Sequence, residues 1–227
     1  MKRPRAMTGS AIIQPPAFAA RTQAGAAIAP STIKAQPMDN ASRLQAILAT
    51  DALRWRLLEM VHSLALPDCW IAAGFVRNAV WDHLHGLAPG AVATDIDVIW
   101  FDPQRCTPEE DQALEARLRK LDASVSWSVK NQARMHIRNG DEPYLCATHA
   151  MRFWPETATA VAVRLGKDRS CEIAAPFGLD DLFGLVLRHT WRFAGEKYAI
   201  YQERLKTKNW LATWPLLELA SEPSAAD

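Results

Sequence analysis

The chain has 227 residues, 49% of them hydrophobic and 22% charged, enough apolar material to bury a core as one domain with appendages. Formal net charge is +1 but unevenly placed: residues 1–37 hold Lys2, Arg3, Arg5, Arg21 and Lys34 with no acid, and the remainder, 21 basic against 25 acidic residues, carries −4. That mildly acidic balance argues against an extended nucleic-acid surface, and no apolar run approaches the ~20 residues a membrane-spanning helix needs.

Four cysteines (Cys69, Cys106, Cys146, Cys171) are widely spaced without a Cys-x-x-Cys, so neither a zinc site nor a disulfide framework is signalled, and a reduced, cytoplasmic location is expected. Residues 1–37, rich in Ala, Pro, Ser, Thr and Gln without periodicity, read as a disordered basic tail, with Met38 as an alternative start; residues 38–227 read as the folded domain.

From Asp39 the pattern turns helical, with Asn40 or Ser42 as cap and Leu44, Ile47 and Leu48 at helical spacing. A second helix follows Thr50 and Asp51; its Arg54, Arg56 and Glu59 read as a solvated face. Pro67 ends it and delivers a short buried strand, Trp70 to Ala73, which stops at Gly74, where a missing Cβ allows a tight turn into a helix over Phe75–Leu84. Arg77 in that helix is either a phosphate contact or a salt-bridge partner of Asp82 or Asp102.

The next strand, Asp95 to Phe101, sets two aspartates two residues apart among Ile, Val, Trp and Phe. Side chains alternate across a strand, so Asp95 and Asp97 share a face. Two carboxylates there repel each other and lose hydration unless a cation compensates. Mg²⁺, or Mn²⁺ in its place, suits such a pair, because it takes oxygen ligands from one or two carboxylates plus substrate phosphates. The preceding turn would bring backbone N–H groups, a positive helix end and Arg77 toward those phosphates, which points to nucleotide chemistry.

Pro108 to Leu121 reads as an amphipathic helix with acids first and bases last, complementing its dipole. The strand Ser124 to Lys130 alternates cleanly. Lys130, Asn131 and Arg134 then either line a triphosphate groove or form loop surface, with Asn131 capping a turn. Trp154 to Thr157 makes a turn whose Glu156 and Thr157 touch substrate or pin the hairpin that follows, Ala160–Leu165 and Ser170–Ala174 about Gly166–Arg169. The segment Tyr198 to Trp214 interleaves aromatics with Arg204, Lys206 and Lys208, as a base-gripping surface or as a docking helix that completes the core.

Gly74-Phe-Val-Arg-Asn78 resembles the Gly-rich turn and Val-Arg-Asp of tRNA-nucleotidyltransferase heads, and Asp95-Ile-Asp97 resembles their metal-binding pair, which is the pattern of the DNA polymerase beta nucleotidyltransferase superfamily. More narrowly the chain is similar to an uncharacterised bacterial family of nucleotidyltransferase-like proteins. That likeness continues through Asn131-Gln-Ala133, Trp154-Pro-Glu-Thr-Ala158, Phe177 to Leu182 and Trp210 to Pro215.

The resemblance implies an α+β fold, a small mixed sheet flanked by helices with a helical C-terminal extension over 176–227. It implies Mg²⁺-dependent transfer of a nucleoside monophosphate from an NTP to an acceptor that is a small molecule, a protein or RNA. Asp95 and Asp97 hold metal, Gly74, Arg77, Lys130 and Asn131 face the nucleotide, and no membrane is involved. The superfamily usually adds a third carboxylate on the neighbouring strand as general base. Ser126 and Ser128 stand there instead, leaving Glu172 as the replacement or as a paired charge on the outer face. The competing expectation is a nucleotide-binding module of the same fold with impaired catalysis.

Overall fold

The computed structural model describes residues 38–89 and 95–220; the expected tail over 1–37 lies outside the described residues. Asp39 caps α1 (Asn40–Thr50) by accepting the Ser42 N–H at 2.7 Å. Asp51 then closes α1 and caps α2 (Ala52–His62), taking the Arg54 N–H at 2.9 Å. Arg54 corrects the expectation of a solvated face. It is 2% exposed, its guanidinium pairs with Asp51, and its Nε donates to the Phe75 carbonyl at 3.1 Å. A charge next to a capping carboxylate, with a carbonyl in reach, can be buried where an unpaired one could not.

The chain continues through β1 (Trp70–Ala72), α3 (Gly74–Leu84), β2 (Ile96–Trp100), α4 (Pro108–Leu121) and β3 (Trp127–Asn131). After it come α5 (Met135–Asn139), α6 (Ala147–Met151), the hairpin β4 (Ala162–Leu165) and β5 (Cys171–Ala174), α7 (Asp180–Phe183) and β6 (Val186–Leu187). It finishes with α8 (Tyr198–Lys208), α9 (Trp210–Thr213) and β7 (Glu218–Leu219). β3 starts later than its alternation suggests, because Asp122 takes the N–H and hydroxyl of Ser124 in a turn. The two-residue strands β6 and β7, which pair in parallel, are too short to leave a period in the sequence.

Five strands form one mixed sheet in the order β3-β2-β1-β4-β5, with β2 and β3 parallel and the other pairs antiparallel. This is the α+β architecture expected. Ile71, Ile96, Val98, Trp100, Trp127, Val129, Val163 and Leu165 point to one face and join Leu44, Leu48, Leu57, Leu58, Val76, Val80 and Leu118 from the helices in the main core. The opposite parity carries Trp70, Ala72, Ile99, Ala162 and Ala174, packed with Ala147, Met151 and Ala160 in a second, smaller cluster.

The C-terminal segment closes onto α3. Trp81, fully buried, meets Trp210 and Trp214 edge-on with ring centroids 5.8 and 5.1 Å away, and the Trp214 indole donates to Asp82 at 2.9 Å. Edge-on aromatic pairs add to the area they bury, so this docking is specific as well as apolar. No described helix is long and apolar enough to cross a membrane.

Candidate active site

The register of the sheet sets one cross-strand row, Ser128, Asp97, Ala72, Ala162 and Ala174, on the smaller-cluster face. Small side chains beside Asp97 leave a cavity of about 270 Å³, lined by Ala73, Asp97, Ile99, Ser128, Lys130, Gln132, Met135, Trp154, Thr159 and Arg204 among others. Asp97 is the one acid among the described residues that line it. Asp95, two residues earlier and exposed, accepts the Ser126 hydroxyl at 2.7 Å.

Electrostatics mark this pair. Burial raises the Asp97 carboxyl above the ordinary range, the neighbouring Asp95 charge raises it further, and Arg204, Arg77 and Lys208 act against both. Two hard oxygen donors, one half-buried and resisting ionisation beside the other, fit a divalent cation of the Mg²⁺ type. Among the described residues no group of three or more His, Cys, Asp or Glu gathers, so other ligands of such an ion would be water and phosphate oxygens.

At the start of α3 the turn works differently from the sequence expectation. The left-handed backbone falls on Ala73 (φ 54, ψ −120), and Gly74 is already helical. A non-glycine residue held there costs on the order of 1–3 kcal/mol. It is kept by the Ala73 N–H bonding the Val161 carbonyl at 2.9 Å and by the Ala73 carbonyl accepting from Arg77 N at 2.9 Å. Ala73 lines the cavity, and α3 begins there with no side-chain cap, so its N-terminal dipole is open to an anion.

Arg77 takes neither expected ion pair. It is 5% exposed, donates from Nη1 to Thr159 Oγ1 and from Nη2 to Asn78 Oδ1, both at 2.9 Å, and lies over the rings of Trp81 and Trp210. Burial pulls its guanidinium down to about 10, against the nearby Glu156 charge. Asn78 therefore serves as one of Arg77's two hydrogen-bond acceptors.

The remaining candidates separate. Lys130 lines the cavity while its ammonium pairs with Glu115 at 2.8 Å. Asn131, with no exposure, belongs to the opposite face: it donates to the carbonyls of Asp102 and Arg105 and accepts from Asp102 N and Ala133 N, which staples a loop and caps a 3₁₀ turn. Glu172 sits on edge strand β5, three strands across and two residues along from Asp97, roughly 16 Å away. It pairs with Arg164 at 2.7 Å and lines a separate cavity of about 700 Å³ against α2. Of the expected residues, Asp97 and Lys130 line the cavity, Gly74 follows the lining Ala73, Asp95 and Arg77 act on Asp97 through their charges, and Asn131 and Glu172 lie outside.

Two residues enter that the sequence left as alternatives. Arg204 of α8 lines the cavity and donates from Nε to Glu156 at 2.6 Å; Glu156 has no exposure, and its second oxygen has no partner among the described residues. The available signal was a lone acid in the apolar run Phe153–Val163 and a basic pair one helical turn apart before Trp210.

The sheet, the helix after its first strand and the aspartates at the start of its second are those of a nucleotidyltransferase. The family model described as nucleotidyltransferase matches residues 59–219, and the chain belongs to that family. It is 34% identical to a protein whose NMR structure reveals a CCA-adding enzyme head domain, over 80% of this chain and 96% of that one, with a TM-score of 0.72. A CCA-adding enzyme in an apo form (14% identity, 81% of this chain, TM-score 0.51) and one in complex with CTP (12%, 79%, TM-score 0.50) share the fold; the chain spans 43% of each. No curated protein matches the chain.

Proposed function

We propose that this protein transfers a nucleoside monophosphate from an NTP to an acceptor, with Mg²⁺ held by Asp95 and Asp97. The observation that carries the reading is Asp97, set on the wall of a cavity beside a second carboxylate and facing the charges of Arg204, Arg77 and Lys208. Bound there, the ion would neutralise phosphate charge in the transition state. The acceptor hydroxyl oxygen attacks the α-phosphorus and gives its proton to solvent water as the new P–O bond forms, while the bond from the α-phosphorus to the bridging oxygen breaks and pyrophosphate leaves with its electrons. The open N-terminus of α3 faces the phosphates, Arg77 fixes Thr159 and Trp210 around them, and Lys130 stands on the β3 side, where an acceptor would enter. NTP supply and reduced cysteines suit a cytoplasmic location.

Ser128, in register with Asp97, favours a second reading, a nucleotide-binding module with little turnover, because serine is a poor base near neutral pH. Calorimetry of NTP binding with and without Mg²⁺ tests the site. Binding is expected to need Mg²⁺ and to fall at least about 100-fold in Asp95→Asn/Asp97→Asn. Metal-independent binding untouched by that double substitution would sink the proposal. Incorporation of label from α-labelled NTP into an acceptor separates the enzyme from the module.

A further inference from the structure

Two guanidiniums flank one indole beside the aspartates: Arg77 lies 4.5 Å and Arg204 5.4 Å from the Trp210 ring. They differ in what they have left to offer. Arg77 is buried and both its terminal nitrogens are bonded. Arg204 is 30% exposed and lines the cavity that holds Asp97, and among the described residues only its Nε is bonded, to Glu156, which leaves its two terminal nitrogens for a ligand. Lys208 follows one turn later on the same face of α8, exposed, in no ion pair among the described residues, and its charge reaches Asp97.

We infer that Arg204 and Lys208 are the polyphosphate contacts of this site, delivered by α8, and that Glu156 is the buried anchor that aims Arg204 at the nucleotide. The inference rests on the nucleotidyl-transfer reading and deepens it by saying where the triphosphate runs: from Asp97 toward α8, leaving the β3 side to the acceptor. A guanidinium fork matches phosphate oxygens in a way a single ammonium does not. Glu156 suits the anchor role because its own exposure is zero and the bond to Nε leaves the rest of the fork free. The C-terminal segment is then part of the active site as well as the cover of α3.

The test is calorimetry in Mg²⁺ with the four ribonucleoside triphosphates and the corresponding monophosphates. Lys208→Gln, at an exposed position, is expected to weaken NTP about 3–10-fold, and Arg204→Lys about 10-fold, with monophosphate binding within about two-fold of the parent. Removing Arg204 alone would strand the Glu156 charge, so Glu156→Gln/Arg204→Gln, which removes both, is the folding-safe check and should lose NTP to at least the same degree. NTP affinity unchanged in Lys208→Gln and Arg204→Lys, or an equal loss for mono- and triphosphates, would overturn the assignment while leaving nucleotidyl transfer standing. Failure of the unmodified protein to bind any NTP would instead remove the nucleotidyl-transfer reading and this inference together.

Discussion

The two faces of the five-stranded sheet are made from alternate residues of the same strands, and they do opposite things. On one, Ile96, Val98 and Trp100 of β2 meet α3 and α4 in the main core. On the other, Asp97 shares a row with Ser128, Ala72, Ala162 and Ala174, side chains too small to fill the space above them. Parity along a strand, rather than distance from the site, therefore decides whether a residue carries stability or chemistry.

Ile96 and Asp97 are sequence neighbours and make the sharpest contrast. Ile96→Ala, at a position with no exposure, is expected to cost about 2–5 kcal/mol of stability, read as a lower denaturant midpoint, while the folded protein still binds Mg²⁺ and NTP. Loss of both in proportion would show that the two faces are not separable. Asp97→Asn should act in the reverse sense, raising the midpoint in chelator by less than Ile96→Ala lowers it, while abolishing the rise that Mg²⁺ and NTP give the parent protein.

The sign follows from protonation. The Asp97 carboxyl is raised above its unfolded value of 3.8 by burial first and by Asp95 second, so between 3.8 and its raised value the folded state binds more protons than the unfolded. The stability this contributes is complete below the unfolded value and is lost as pH rises through the folded one. Asp97→Asn should lack that pH-dependent loss, and a parallel pH profile of the two proteins without metal would contradict the electrostatic account. Mg²⁺ binding moves the other way, weakening as falling pH protonates Asp97, and sooner than it would for an ordinary aspartate.

Much of this was legible because it is local. A short apolar strand that stops at small residues and an Asp-x-Asp strand each write their own pattern, and α4 (Pro108–Leu121), capped by Thr107, shows cap and dipole chemistry in full. What sequence alone left open is what pairs across the chain. Arg54 looked solvated because its partner carbonyl, Phe75, lies 21 residues away. Asn131 was expected at the nucleotide through the family resemblance, but it stands one step along the strand from Lys130, which turns it to the opposite face. Arg204 and Glu156 are 48 residues apart, and only the docking of α8 brings them together. The strain of the turn was assigned to Gly74 on the general preference of glycine, whereas the Val161 and Arg77 bonds hold Ala73 there instead.

Glu172 gives the smallest expected effect and the cleanest check on the comparison. By parity it belongs to the chemical face, as Asp97 does, yet it stands at the sheet edge in a pair with Arg164 that is more than a third exposed on both sides. An exposed ion pair of this kind contributes about 0–1 kcal/mol. Glu172→Gln should therefore leave the denaturant midpoint nearly unchanged, with Mg²⁺-dependent NTP affinity and any label transfer within about two-fold of the parent. A fall in transfer of about 100-fold or more, at unchanged NTP affinity, would be the signature of a lost general base and would mean that β5 closes toward Asp97 during turnover. The face of the sheet would then be necessary but not sufficient for chemistry in the resting protein, with position on that face deciding the rest.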